Sequence, residues 1–319
     1  MSAIADTRSA RSVEAPRLDV DAALAWLEAN MAWFEPERWE RHLPRRTFPG
    51  TPVLELLVLL RVLRRGNRGG DADRLAGPAL EIGRSITDRP RWLEELRGGG
   101  ALFPHVLWLV ALIEELDSAR GLVPSARFAA ELAIATGAGN VNGRYRPPAS
   151  ALELGYVLEL AGMDADQPSI PSLLAACEPH LDADHCHMSD GDIYGVTHIM
   201  FYATDFGARP AGGPDRTRTV LRLLGSCLAR SDNDLTAELL ACADYLGAGN
   251  HPLALHGHAR LSAAQRPDGS VASLLYNARV AERATGEPGR AYAFGTCYHP
   301  TITAAMAAMA AREGTTCRE

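Results

Sequence analysis

The sequence predicts an all-α protein, and two observations support this prediction. Hydrophobic side chains recur at three- and four-residue steps, as in Leu24, Leu27, Met31 and Phe34. No stretch alternates polar and apolar residues with the period of two that is typical of a strand. Because short polar turns separate the predicted helices, we expect helical hairpins that form an α/α toroid or a solenoid-like single domain.

The predicted helices follow one another with short connections, and proline and glycine mark several of their ends. Pro52 stands in a tolerated first-turn position, and Gly66 follows a basic last turn. Helices are predicted at about 19–34, 51–65, 71–86, 90–97, 103–116, 124–136, 150–161, 170–178, 214–229, 233–247, 252–265, 270–285 and 299–312, and a further helix is predicted within 189–207 that includes position 205.

The chain divides by composition into two halves and two tails. All five tryptophans lie between Trp26 and Trp108, whereas the segments rich in histidine and acidic residues come later. We therefore expect a packing-dominated half over 17–165 and a site-bearing half over 166–312. Residues 1–16 are predicted to be a disordered tail and residues 313–319 a flexible one.

Composition excludes several classes of function. The net charge is −7, so no nucleic-acid partner is expected. All 32 basic residues counted as Lys or Arg are Arg, which excludes a Schiff-base lysine, a pyridoxal phosphate enzyme of the usual kind and a Walker-type nucleotide loop. The six cysteines form no CxxC pair, and the chain shows neither a signal peptide nor a membrane-length apolar run. These features predict a cytoplasmic protein with free thiols and no membrane span.

The stretch around His198 is the first candidate site. His198, Tyr202 and Asp205 are spaced i, i+4 and i+7, which places them on one face of a helix that is otherwise mostly apolar. Burying a histidine and a carboxylate is costly unless they pair or take part in chemistry. We expect His198 to be a general base or metal ligand and Asp205 to pair with it or orient it.

Asp234 and Glu238 form the second candidate site. They are spaced i and i+4, so two like charges share one helix face and repel unless a cation or a shared proton lies between them. The alternative is that Asp232 or Asp234 caps the helix while Glu238 lies in a solvent-facing first turn.

Tyr298, His299 and Pro300 form the third candidate site. Pro300 suits the first turn of a last helix, which would place His299 near its N-cap. A helix N-terminus lowers the pKa of a histidine and favours a neutral base or metal ligand. An ordinary capping and packing role is the alternative. Tyr202 or Tyr298 could donate a proton.

The loop over residues 182–192 contains carboxylates, His185, His187 and Cys186, a composition that resembles a metal-binding tract. Its spacing matches no zinc finger, and Ile193 occupies the place where an EF-hand needs glutamate. The better interpretation is that Asp190 or Asp192 caps the next helix.

Three segments together resemble an uncharacterised actinobacterial all-α family, domain of unknown function 6895. They are Tyr194–Gly207 (YGVTHIMFYATDFG), Asp234–Leu240 and Tyr298–Thr301 (YHPT). Within about 180–312, the resemblance implies a tailoring role in specialised-metabolite pathways, including antibiotic biosynthesis. Hairpins joined by Gln265–Ser270 (QRPDGS) more distantly resemble α/α toroids such as terpenoid cyclases, prenyltransferases and lanthionine cyclases.

Two departures from the toroid enzymes matter. The tetrad Ser231–Asp234 (SDND) lacks the first Asp of a DxDD motif, which disfavours terpene chemistry. The zinc set of lanthionine cyclases has no clear counterpart, although folding could assemble one from Cys242, Cys297 and His299.

The favoured interpretation is an acid/base or metal-assisted enzyme for elimination, cyclisation or hydrolysis of a small or carrier-linked substrate. A divalent metal is compatible with this interpretation. The alternative is a non-catalytic protein that scaffolds a peptide, a carrier protein or a partner subunit, or that forms a homo-oligomer. The enzyme interpretation requires distant residues to meet in space: His198, Tyr202, Asp205, Asp234, Glu238, Tyr298 and His299.

Overall fold

The structure, a computed structural model, describes residues 17–122, 127–139, 141, 145–163 and 166–316. Within these residues the fold is all-α, as predicted, and the only extended pairing is an isolated bridge between Gln265 and Val271. The helices are α1 Val20–Ala29, α2 Pro36–His42, α3 Thr51–Arg65, α4 Gly69–Thr87, α5 Pro90–Gly98, α6 Phe103–Ala119, α7 Arg127–Gly137, α8 Pro148–Leu160, α9 Ile170–Ala176, α10 Glu178–Leu181, α11 Asp190–Thr204, α12 Pro214–Arg230, α13 Asn233–Tyr245, α14 Pro252–Ala264, α15 Ala278–Arg283 and α16 Gly286–Thr316.

Six helices contact one another in a closed ring. α3 contacts α6, α6 contacts α8, α8 contacts α11, α11 contacts α13, α13 contacts α16, and α16 returns to α3. Helices α4, α9, α12 and α14 pack against members of this ring. A closed ring is a feature that an α/α toroid requires and an open solenoid lacks, but the overall toroid shape stays a prediction.

The N-terminal tryptophans join the first helices to the last one. The rings of Trp26, Trp33 and Trp39 lie 6.0, 6.3 and 6.0 Å from the ring of Phe294 in α16. Their burial removes large apolar surfaces from water and holds α16 against the start of the domain.

The first predicted helix is shorter than its apolar pattern suggested. Asp19 caps α1 by accepting a hydrogen bond from the Ala22 amide, as the sequence indicated. The α-helix then ends at Ala29, and a separate 3₁₀ turn, Met31–Phe34, continues the apolar spacing. A three- to four-residue repeat cannot distinguish these two helix types over one turn.

The last helix differs from the prediction at its N-terminal end. α16 begins at Gly286, so His299 lies in its middle rather than near its N-cap. An interior proline leaves the carbonyl four residues earlier without its helical partner. That carbonyl belongs to Thr296, and it accepts a hydrogen bond at 3.0 Å from the amide of Ser273. The long-range bond compensates for Pro300 and lets the helix continue.

The helix predicted over 270–285 is mostly absent, and only α15 forms there. The preceding segment is irregular, because part of its backbone bonds to other parts of the chain. The Val271 amide donates to Thr301 Oγ1 at 2.9 Å, in addition to the bond between Ser273 and Thr296.

Ser189 caps α11, which corrects the prediction that Asp190 or Asp192 is the cap. Its hydroxyl accepts from the Asp192 amide at 3.3 Å, and the Asp192 carboxylate accepts from the Ser189 amide at 2.8 Å. This reciprocal capping box fixes the start of the helix that carries His198.

We expect Ser189→Ala to lower the free energy of unfolding by about 1 kcal/mol, because one first-turn amide loses its partner. Urea unfolding followed by circular dichroism measures the change. Ser118→Ala, at an exposed position near the end of α6, serves as the control. Equal stability of Ser189→Ala and the wild type would contradict a stabilising role for the cap.

The predicted tail at residues 1–16 lies outside the described residues. The predicted C-terminal tail is helical in part, since α16 continues to Thr316. Among the residues described, no single helix is both long and apolar enough to span a bilayer. Helices α5 and α6 satisfy the length and composition only as a pair, and that pair is bent by 110°.

Candidate functional site

A single cavity brings together residues from five of the six ring helices. It encloses about 120 Å³. Its walls are mostly apolar and aromatic, and several titratable groups reach it. The lining residues are Thr51, Leu54, Glu55, Val58, His105, Trp108, His198, Phe201, Tyr202, Phe206, Glu238, His299, Ile302, Thr303 and Met306.

His299 is the centre of the polar side of this cavity. Its Nδ1 lies 2.7 Å from Asp234 Oδ1, and its Nε2 lies 3.5 Å from Glu238 Oε1. Burial alone would lower the pKa of His299, but attraction to Asp234 and Glu55 outweighs burial and raises the pKa to about 10. His299 is therefore the cation between the two acidic residues of α13. The prediction of a neutral, helix-capping histidine is wrong, because this position lies far from a helix N-terminus.

Asp234 is fully engaged by neighbouring side chains. Besides its bond to His299, it accepts hydrogen bonds from Tyr194 Oη at 2.7 Å and from Thr303 Oγ1 at 3.4 Å. Burial would raise the pKa of Asp234, but His299 and these hydrogen bonds hold it below its usual range. The helix cap is Asp232, whose carboxylate accepts a hydrogen bond from the Leu235 amide. The carboxylate of Asp234 is therefore not used as the cap and binds His299 instead.

Glu238 is the most deeply buried acid of the site, with 1% of its surface exposed. Its Oε2 accepts a short hydrogen bond from Thr197 Oγ1. Burial raises the pKa of Glu238 to about 8, because the attraction of His299 only partly offsets desolvation and repulsion from Asp234 and Glu55. Near neutral pH this residue therefore holds a proton.

Glu55 completes the polar side of the cavity, and Tyr298 lies near it outside the lining. Glu55 Oε1 lies 3.9 Å from His299 Nε2, and burial raises the pKa of Glu55 against the attraction of His299 and Arg46. Arg46 donates to Tyr298 Oη at 2.5 Å. Tyr298 does not line the cavity but lies behind it, where burial raises its pKa well above the usual value. It is therefore a poor proton donor to a ligand.

His198 lines the cavity from α11. A large part of the residue is exposed to solvent, and within the described residues it forms no hydrogen bond or ion pair. Desolvation by the protein atoms packed around the imidazole lowers the pKa of His198 to about 4, and repulsion from His299 acts in the same direction. The ring is therefore neutral near neutral pH and can accept a proton or a hydrogen bond.

Asp205 does not join His198, which corrects the predicted pairing. α11 ends at Thr204, and Asp205 adopts a left-handed conformation with φ 48° that turns its side chain away from the helix stripe. Its carboxylate binds Arg61 at 2.5 Å and Arg65 at 2.6 Å. These two hydrogen bonds outweigh burial and lower the pKa of Asp205. Tyr202, one turn earlier, does line the cavity.

Sequence reasoning missed Glu55 and His105, which α3 and α6 bring to the cavity. Each is a lone polar residue at the edge of a strongly apolar helix, and that isolation was the available signal. The half predicted to be packing-dominated thus also supplies site residues.

The described residues contain no group of three or more His, Cys, Asp or Glu side chains placed to hold a metal ion. The set considered from Cys242, Cys297 and His299 does not form, because the thiol of Cys242 points to the Thr197 carbonyl and that of Cys297 to Thr296. The loop at 182–192 likewise brings no such group together among these residues.

Comparison with known families assigns the chain to a group whose function has not been described. The profile of the family "Domain of unknown function (DUF6895)" matches residues 20–309. The chain belongs to this family. The match extends the C-terminal resemblance to nearly the whole domain, including Glu55 and His105. No curated protein and no solved structure matches the chain.

Proposed function

We propose that the cavity is the active site of an enzyme that catalyses proton transfer on a small molecule. The observation that supports it is the pairing of an acid and a base on one cavity: Glu238 has a pKa of about 8 and His198 a pKa of about 4. Between these values Glu238 is protonated and His198 is neutral. Environments that separate two pKa values in this way are typical of acid–base sites.

In this proposal Glu238 is the general acid and His198 the general base. His299 and Asp234 act as positioning residues, because their ion pair fixes the charge next to Glu238. Tyr202 and the aromatic wall bind the apolar part of the ligand. Such a pair suits elimination, cyclisation or hydrolysis, in which one atom loses a proton while another gains one.

The size of the cavity restricts the substrate. A cavity of roughly 150 Å³ holds a molecule like benzene, and this one is smaller at about 120 Å³. A small molecule, or the end of a carrier-linked one, fits this volume. A tailoring role in specialised metabolism and a cytoplasmic location stay predictions.

The test uses 2-butanone, a small ketone whose α-protons exchange in D₂O when an acid polarises the carbonyl and a base removes a proton. We expect the wild type to accelerate exchange over buffer. His198→Asn and Glu238→Gln should each lower that acceleration at least tenfold, since general acid–base groups contribute about 10²–10⁴-fold. Proton NMR measures exchange, with Glu282→Gln, an exposed carboxylate of α15, as the matched control.

The pH profile provides an independent readout. The rate should fall below about pH 4, where His198 becomes protonated, and above about pH 8, where Glu238 loses its proton. Exchange no faster than in buffer, or equal exchange in all variants, would contradict catalysis at this cavity.

A non-catalytic binding protein is the second candidate, because Asp234 is already saturated by His299, Tyr194 and Thr303, as in a structural network. It predicts that Glu238→Gln lowers the melting temperature sharply, because Glu238 is buried and bonded to Thr197. The enzyme proposal predicts a melting temperature within a few degrees of the wild type for this variant, together with lost exchange.

A further inference from the structure

The polar side of the cavity has more carboxyl groups than cations. Asp234, Glu238 and Glu55 all approach the single imidazole of His299, at 2.7, 3.5 and 3.9 Å. Asp234 takes the Nδ1 side of the ring alone. In the described part of the chain, His299 is the one basic side chain within 4 Å of Glu55 or Glu238. The imidazolium pairs with Asp234, and Glu238 keeps its proton near neutral pH because no second cation lies within 4 Å of it among the described residues.

Glu238 and Glu55 each also have one carboxyl oxygen without a hydrogen-bond donor among the described residues, although Thr197 donates to the other oxygen of Glu238. Glu238 is almost fully buried, and among the described residues its Oε1 accepts no hydrogen bond and has only the 3.5 Å contact with His299. Glu55 Oε2 is buried without a hydrogen-bond partner in the same part of the chain. Unsatisfied buried oxygens are costly, so a donor that binds there gains free energy.

Another part of the cavity lining is aromatic. The rings of Trp108 and Tyr202 meet edge to face at 5.6 Å, and those of Phe201 and Phe206 stack at 5.1 Å. All four residues line the cavity. Aromatic side chains offer a large apolar surface against which a hydrocarbon body can pack.

We propose that the cavity binds a small aliphatic ammonium compound, with its nitrogen at Glu238 and its hydrocarbon body against the aromatic wall. The nitrogen supplies the donors that Glu238 Oε1 and Glu55 Oε2 lack. A carboxylate ligand would meet three acidic side chains, and an alcohol would bring a donor but no charge. The volume of about 120 Å³ admits an amine no larger than a benzene-sized body.

This inference rests on the proposed function and identifies the ligand atom with which Glu238 exchanges its proton. When a free amine enters, the proton passes from the Glu238 carboxyl oxygen to the amine nitrogen. When the ligand enters as ammonium, the same proton leaves to solvent, and carboxylate and ammonium remain paired. No other bond changes in either case.

The test compares isobutylamine, isobutanol and isobutyrate, which share one carbon skeleton and differ in charge. Isothermal titration calorimetry at neutral pH is run in two buffers of different ionisation enthalpy, at millimolar ligand, because such small ligands reach about millimolar affinity. We expect isobutylamine to bind at least tenfold more tightly than isobutanol and isobutyrate not to bind. The buffer dependence should report the release of about one proton per amine.

Variants locate the binding. Glu238→Gln should weaken isobutylamine binding at least tenfold and abolish proton release, while Glu282→Gln should bind like the wild type. The three-ligand comparison on the wild type remains decisive even if Glu238→Gln fails to fold.

Binding of isobutanol as tight as that of isobutylamine would overturn the ammonium assignment, as would amine binding that Glu238→Gln leaves unchanged or no amine binding at all. None of these results affects the ketone exchange rates, which test the catalytic proposal separately.

Discussion

His299→Ala should destabilise the protein by about 3–5 kcal/mol at neutral pH, because it removes the cation that pairs with Asp234 inside the protein. Asp234 would lose its strongest partner, which lies at 2.7 Å. Asp234 and Glu238, one turn apart on α13, would no longer have the imidazole of His299 between them. The remaining hydrogen bonds from Tyr194 and Thr303 cannot neutralise a buried charge.

The destabilisation should depend on pH. In the wild type the folded-state pKa of His299 is raised, to about 10, so its contribution is complete below the unfolded value of about 6.5 and is lost as pH rises through 10. In His299→Ala the pKa of Asp234 rises, and the folded protein must take up a proton or bury the charge. The difference in unfolding free energy should therefore shrink toward about pH 4, where the unfolded carboxyl groups also become protonated.

Urea unfolding across this pH range measures the difference, and His198→Ala is the matched control. His198 lines the same cavity but forms no hydrogen bond or ion pair among the described residues, so its removal should cost less than about 1 kcal/mol. Adding Asp234→Asn to His299→Ala should recover part of the lost stability. Equal effects of His299→Ala and His198→Ala would contradict the electrostatic role of His299.

The sequence predicted helices well where both ends carried a local signal. Proline in the first turn marks the starts of α3, α5, α12 and α14. The spacing of apolar residues predicts how far each helix continues. The same proline rule misplaced the start of α16, because the amide that compensates for Pro300 comes from Ser273, far away in the chain. A long-range hydrogen bond of this kind leaves no trace in a local pattern.

The candidate site shows the same division between local and distant information. The i, i+4 spacing of Asp234 and Glu238 indicated either a cation or a shared proton between them, since helix geometry alone puts them on one face. The identity of that cation, His299, follows from the contact between α13 and α16. Asp205 was misplaced because the helix ends one residue before it, and a left-handed residue leaves the helical stripe.

Asp205→Asn is the second substitution for which we expect a large loss, about 3 kcal/mol of unfolding free energy. Asp205 accepts from both Arg61 and Arg65, and Arg61 is buried with 7% of its surface exposed. Asparagine tolerates the left-handed conformation, so this substitution removes charge without adding backbone strain. Phe206 follows with φ 51° and lines the cavity, so the loss should also loosen the aromatic wall.

Glu115→Gln is the matched control, because Glu115 also binds Arg61, at 2.7 Å, but 38% of its side chain is exposed. Solvent screens that pair, so its loss should cost less than about 1 kcal/mol. The pKa of Asp205 is lowered in the folded state, so its contribution is present above the unfolded value of about 3.9 and is lost as pH falls through the folded value. Wild type and Asp205→Asn should therefore converge in strong acid. If Glu115→Gln cost as much as Asp205→Asn, the stabilisation would belong to Arg61 and not to the conformation of Asp205 and Phe206 that shapes the cavity wall.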